Sequence, residues 1–495
     1  MMLHACRLGA AHALAYWTGW CIYALFFHPL AKFPGPRLAA LTELWHLVVM
    51  LTGRDHLVLR NLHRIYGHVV RVGPNKLSFD AAPSSKVING RSFPKDATYE
   101  QRGRATAVGR IRGIEDHAIA RNRLAPGFSA SALRSHQETI HSLVDLFINQ
   151  LQKLSEAPES SGVAMGDAFA WLTMDVLGEL AFGESFGAVK ACNSTSWISR
   201  LFSDNWWTTL YPCDGLVNAS FASSLLVRLA LPKAKVMLEQ YGGFVKQEVL
   251  RWLQAPDCRG RNALLGILAR SGGDVSVDYL IDEGRFLTIA GVDTVATMLT
   301  AAIHFLDANP TCRDRLIKEI RETFGSYHDV TAGTTSSLSF LQAVIDETLR
   351  LFPPVPGGLP RICPGATIDG HYVPKGTVVR THLFSASRNP ETYVLPDDFR
   401  PERWLGEPSL QTTDGPPPVF ALSQGPFQCI GMTMAYLEMR ILLAKLLYSC
   451  DFEVLNGRGD ITQSGKSWVL WTKPDIKAKF RLVARRERDQ TAETE

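Results

Sequence analysis

The sequence predicts a chain of helices with a few short strands, entered through one membrane-spanning helix, and three stretches carry that prediction. Residues 8–27 hold no acidic or basic side chain apart from His12, and about 20 such residues are what a helix needs to cross a bilayer. Residues 277–306 are apolar nearly all round at helical spacing, the mark of a helix through an interior rather than along a surface. Pro353-Pro354-Val355-Pro356-Gly357-Gly358 then forces the chain extended, and residues 366–372 and 377–382 read as short strands behind it.

Each element has a local reason. Ala13-Leu14-Ala15 has the small-x-small form of a cleavage site, but residues 16–27 continue apolar behind it, so an uncleaved anchor over residues 1–30 is expected. Lys32, Arg37, Arg54, Arg60 and Arg64 follow the segment and only Arg7 precedes it, which leaves residues 31–495 on the cytosolic side. The sequons at Asn193 and Asn218 then stay away from glycosylation. No repeat or long linker divides residues 31–495, and the weakly patterned stretch 192–222 reads as an insertion, so one large domain is expected. The net charge of +4 is small and the basic residues form no single run, which argues against a nucleic-acid partner. Nine scattered cysteines without a CxxC pair indicate neither a disulfide framework nor a zinc site and fit a reducing compartment.

Polar residues inside these elements point to chemistry. Gly291 costs helix stability, and Asp293 and Thr294 stand where packing prefers leucine. Such local conflicts mark functional positions, although a threonine bonding the carbonyl one turn back is the common alternative. Glu347 and Arg350 lie three apart on a helix predicted over 341–352 and face the same way, as a surface ion pair would. His117 and Arg121, four apart, share a helix face that solvation explains equally well, and a solvated loop accounts for Arg102, Arg104, Arg110 and Arg112 just before them. The most informative stretch is Ser423-Gln424-Gly425-Pro426-Phe427-Gln428-Cys429-Ile430-Gly431. Gly425 and Gly431 let backbone come close to whatever Cys429 touches. The first turn of a helix beginning near Ile430 offers unpaired N–H groups that favour an anionic sulfur, a geometry suited to an iron ligand.

Ahead of this loop stand, in order, Ala290-Gly291-Val292-Asp293-Thr294, Glu347-Thr348-Leu349-Arg350 and Phe399-Arg400-Pro401-Glu402-Arg403-Trp404. With them the chain resembles the cytochrome P-450 family of haem-thiolate monooxygenases. The likeness runs from Pro29-Leu30-Ala31-Lys32-Phe33-Pro34-Gly35-Pro36, similar to the membrane-proximal hinge of fungal microsomal members, to Trp471-Thr472-Lys473-Pro474. The resemblance implies that family's fold, mainly α with small β-sheets (α+β), and haem b (iron protoporphyrin IX) with Cys429 as its axial thiolate, which pushes electron density toward O–O cleavage. It implies haem-propionate contacts from Arg361, His117 and Arg121, a structural cluster of Glu347, Arg350 and Arg403, and proton delivery by Thr294 and Asp293. The activity it implies is hydroxylation or epoxidation of an apolar small molecule, such as a fungal secondary metabolite, with O2 and electrons from NADPH through a separate NADPH–cytochrome P-450 reductase at the endoplasmic reticulum membrane. Phe286, Ile289, Ala290, Val355, Pro356, Val469 and Leu470 are the expected substrate contacts. Two positions depart from the pattern: Leu422 replaces the usual aromatic seven before the cysteine, and Phe427 the usual arginine two before it. The second departure leaves open a haem-binding scaffold or sensor with weak turnover, beside an isomerase or dehydratase. Returning an arginine to 427 is expected to add one charge-assisted hydrogen bond and hold haem more firmly.

Overall fold

The structure, a computed structural model, describes residues 2–99, 106–158, 160–192, 232–255, 263–272, 275–412, 418–457 and 459–483. Arg102, Arg104, Asn193, Asn218 and residues 193–222 of the expected insertion lie outside the described residues. The uncharged N-terminal segment is helical: α1 (Met2–Ile22) passes into one wider turn over Tyr23–Phe27. Every residue from 7 to 19 is exposed, Leu14 by 70% and Tyr16 by 69%, so this helix lays no apolar stripe on the rest of the fold. The strand pair β1 (Val69–Gly73) and β2 (Lys76–Phe79) follows, then α2 (Ile114–Leu124), which carries His117 and Arg121.

Helix α3 (Met165–Leu177) is buried at every position but Asp167 and lies against α4 (Val277–Ala308), the predicted interior helix. The Thr173 hydroxyl joins them by donating to the Val292 carbonyl at 3.0 Å. Ser276 caps α4, its hydroxyl accepting from the Tyr279 N–H at 3.1 Å, and Asn309-Pro310 ends it. Among the described residues α4 is the only helix long and apolar enough to cross a membrane, at a mean hydropathy of 1.7, yet 72% of that window is buried within the fold. By the same measure α1 falls short, with Arg7 and His12 lowering its mean hydropathy most. Helices α5 (Ser339–Leu351) and α6 (Met432–Ser449) complete the enclosure: Leu299 and Ile303 of α4, Val344 and Ile345 of α5 and Leu442 and Leu443 of α6 share one buried cluster. Each such aliphatic side chain contributes about 1.5–3 kcal/mol by leaving water.

Strands β3 (Arg361–Ile362) and β4 (Val378–Thr381) extend the first pair into a sheet of order β1-β2-β4-β3. β2 and β4 run parallel from Lys76↔Val378 to Phe79↔Thr381, while β3 is antiparallel to β4, with Arg361 opposite Val379. Lys95 continues the β3 edge through a single antiparallel bridge to Arg361. The stretch 366–372 is not one strand. It turns back at Asp369-Gly370, φ 47° and 77°, into a hairpin of Ala366–Ile368 with His371–Val373, because two left-handed residues in succession make the tightest hairpin turn. A separate antiparallel pair, β5 (Cys450–Val454) and β6 (Lys477–Leu482), closes the C-terminal side.

Glu347 and Arg350 are not a surface pair: both side chains are fully buried. The Glu347 carboxylate accepts from Arg350 Nε and Nη2 at 2.7 and 2.8 Å, from Arg403 Nε and Trp404 Nε1 at 3.1 Å each, and from the Arg400 backbone N–H at 2.7 Å. The arginines pass the restraint on, Arg350 donating to the carbonyls of Ser387, Pro396 and Asp398 and Arg403 to those of Val394 and Leu395. Burial alone would raise the carboxyl, but the Arg350 and Arg403 charges hold it below the usual carboxylate range. Glu347→Gln leaves two buried guanidinium groups without a counter-charge and is expected to cost about 3–5 kcal/mol, read by chemical denaturation. A loss under about 1 kcal/mol would place the cluster with ordinary surface pairs.

Candidate functional site

Cys429 is delivered by a loop that its own backbone closes. Its N–H donates to the Leu422 carbonyl at 2.9 Å, and the Gln428 N–H to the Gly425 carbonyl at 3.1 Å. Gly425 has φ 66°, and a Cβ there would stand 2.6 Å from the Asn89 carbonyl oxygen. Its freedom therefore serves the packing of the loop on Asn89, and Gly425 is not among the residues that line the cavity. Gly431 does line the cavity, and a Cβ on it would lie 4.0 Å from Cys429 Sγ. Helix α6 begins at Met432 rather than near Ile430, so the sulfur sits just before its first turn. Cys429 is exposed, but into a cavity that protein encloses. Burial pushes its thiol up, while the Gly431 N–H and the Arg121 charge act the other way.

That cavity holds about 1490 Å³, more than the roughly 300–1,000 Å³ of a site for one small molecule. Phe286, Ile289, Ala290, Gly291 and Thr294 of α4 line it, as do Val355, Val469 and Leu470. Pro356 does not; its neighbour Pro354 does, and the Pro356 carbonyl accepts from the buried Phe384 N–H at 2.9 Å. Thr294 donates to the Ala290 carbonyl at 2.7 Å, the bond that a helical threonine commonly makes, while lining the cavity. Asp293 does not line it. Its carboxylate is fully buried and bonded to Lys473 Nζ at 2.5 Å, which ties α4 to the C-terminal segment. A Cβ on Gly291 would meet Leu177 of α3 at 3.0 Å, so helix packing also requires this glycine.

One end of the cavity gathers positive charge. His117 and Arg121 of α2, Arg361 of β3 and Lys95 all line it. Phe427 lies among them, its ring 4.8 Å from that of His117, 4.5 Å from the Arg361 guanidinium carbon and 5.4 Å from Lys95 Nζ. The cations bond neutral acceptors: Arg121 the Gln428 carbonyl at 2.7 Å, Arg361 the Tyr99 hydroxyl at 2.8 Å, and Lys95 the Val108 and Gly109 carbonyls at 3.0 and 2.9 Å. Arg361 Nε is buried with no hydrogen-bond partner among the described residues. Burial, then the charges of Lys95, Arg121 and Arg361, push His117 down to about 4, so its imidazole is neutral at physiological pH. Lys95 has no counterpart among the residues the sequence singled out, and Phe93-Pro94-Lys95 carries no motif that would have marked it.

These residues fit haem. Its apolar faces suit the α4 wall, its two carboxylates suit cations that have only neutral partners, and its iron suits a sulfur on the cavity wall beside a helix start. The sequence model of the cytochrome P-450 family matches residues 34–480. The cytochrome P-450 monooxygenase BOA3 of Botryotinia fuckeliana (strain B05.10) is 34% identical over 486 residues, 94% of this chain and 94% of its own length. The monooxygenase BOT4 of Botryotinia fuckeliana is 35% identical over 474 residues, 94% of this chain and 88% of its own. The trichothecene C-15 hydroxylase of Fusarium sporotrichioides is 34% identical over 483 residues, with 95% and 96% covered. Matched from the first hinge residues to the last strand, the chain belongs to the cytochrome P-450 family of haem-iron monooxygenases.

Proposed function

We propose that this protein is a membrane-anchored haem-thiolate monooxygenase that hydroxylates or epoxidises an apolar small molecule, with O2 and with electrons passed from NADPH by a separate reductase. One observation carries the reading: a single apolar-walled cavity is lined by Cys429 at one point, by Thr294 at another and by a cluster of cations at one end. Haem, when bound, supplies the oxygen-activating chemistry, and the chain supplies binding, orientation and protons. Cys429 is the thiolate ligand, with Gly431 leaving room beside it. Arg361 and Arg121 hold carboxylates, and His117, being neutral, contributes a hydrogen bond and ring contact rather than charge. Thr294 holds a proton at the cavity wall. Asp293, engaged by Lys473, takes the supporting task of fixing α4. Phe286, Ile289, Val355, Val469 and Leu470 form the apolar substrate wall. That one relative is named a trichothecene hydroxylase supports hydroxylation of a secondary metabolite as the reaction class.

The anchor reading rests on α1, which is helical and exposed from residue 7 to 19, and on its position at the head of the family match. It places the protein at the endoplasmic reticulum membrane with residues 31–495 as the catalytic domain in the cytosol.

Cys429→Ser is expected to abolish the thiolate-type Soret band of the reduced carbon monoxide complex together with turnover, because a serine hydroxyl ionises far less readily. Cys450→Ser, changed at a buried position on β5, should keep both; retained turnover in the Cys429 variant would overturn the ligand assignment. Thr294→Ala should keep haem and substrate binding but lower the product formed per NADPH consumed by roughly 10²-fold or more, the usual contribution of a placed proton donor. An unchanged ratio would reduce Thr294 to its helix bond with Ala290. Deleting residues 2–27 should release the protein from integral to at most peripheral attachment, and resistance of the truncated form to alkaline carbonate extraction would refute the anchor.

A further inference from the structure

We propose that Lys95 is a binding residue for a cofactor carboxylate, supplying from the edge of the sheet the cation that the cysteine loop lacks at Phe427. This rests on the haem site proposed above and adds a residue to it.

The backbone places the charge. Lys95 and Arg361 face each other in an antiparallel bridge, reinforced by the Ile362 N–H donating to the Pro94 carbonyl at 2.9 Å, and directly opposed residues in such a pair project to the same face. Like charges opposed in this way destabilise a strand pair unless something negative lies between them. Among the described residues no carboxylate hydrogen-bonds to either of them. Lys95 is 4% exposed and Arg361 1%, and the hydrogen bonds they make go to carbonyls and a phenol. Glu283, the acid that most affects Lys95, accepts from the Val108 N–H at 2.9 Å instead. Two buried cations whose hydrogen bonds go to neutral groups are costly, and an anion in the cavity that both line relieves that cost.

The donors are available for it. An ammonium has three N–H groups, of which the Val108 and Gly109 carbonyls occupy two, and Arg361 Nε has no partner among the described residues. Phe427 serves both groups as an aromatic plate, with Arg361 and Lys95 each near its ring. An arginine at 427 would bring a further cation to a place already supplied with charge. Burial, then Arg361, pushes the Lys95 ammonium down to about 7, consistent with a cation whose partner comes from outside the chain.

The test uses the purified holoprotein. Haem transfer to excess apomyoglobin is followed at the Soret band, and propionate bending bands are read by resonance Raman. Lys95→Met should speed haem loss about tenfold or more, the loss of one charge-assisted hydrogen bond, and should shift a propionate band. Lys95→Arg should stay within about threefold of the parent. Phe427→Arg alone should bring no gain, whereas in the Lys95→Met background it should recover most of the lost retention. Unchanged haem loss and Raman bands in Lys95→Met would overturn the proposal and leave Lys95 a latch on the Val108-Gly109 turn. Slower loss in Phe427→Arg alone would also overturn it, by showing a carboxylate that still lacks a partner. Failure of the parent protein to take up haem at all would instead refute the underlying site.

Discussion

The Glu347 carboxylate is the group on which the backbone of residues 387–404 depends. Six hydrogen bonds from five donor groups converge on its two oxygens, from Arg350 of α5, from Arg403 and Trp404, and from the backbone of Arg400. The two arginines then take up five carbonyls between residues 387 and 398, in a stretch with little regular structure of its own. Irregular backbone can stay buried only if its polar groups are satisfied, and here one anion organises that satisfaction.

The cavity combines opposite demands within one volume. Its α4 wall is largely apolar from Phe286 to Val295, as an apolar substrate requires, and its other end presents cations whose hydrogen bonds among the described residues go to neutral partners. The two regions coexist because different layers provide them: a helix with little polar surface, and a sheet edge with α2 beside it. Thr294 belongs to the first region and Arg361 to the second, and Cys429 lines the same cavity from a third direction of approach.

What the sequence made legible follows the range of the physics involved. The interior helix, the cysteine loop and the Glu347-Arg350 spacing are local patterns, and each is where the residues place it, to within a few positions at the ends. Asp293 and Thr294 were grouped as one unit, but successive helical residues point about 100° apart, so they do not share a wall; Asp293 found Lys473 instead. In the proline-rich stretch no periodicity fixes which residue faces inward, so the choice fell on Pro356 where Pro354 lines the cavity. The hairpin at Asp369-Gly370 had a turn signal that strand propensity alone overrode. Lys95 was invisible for a different reason. Its meaning arises from a bridge to a residue far along the chain, and no local pattern encodes a partner at that separation.

The junction behind α1 has a consequence of its own. The Trp20 indole donates to the Leu41 carbonyl at 2.9 Å, the Arg71 guanidinium holds the Ala24 carbonyl at 2.8 Å, and Leu30 and Phe33 are buried against the sheet. These contacts act as a strut rather than a leash: they fix the direction in which α1 leaves the sheet, not merely the length of chain between them.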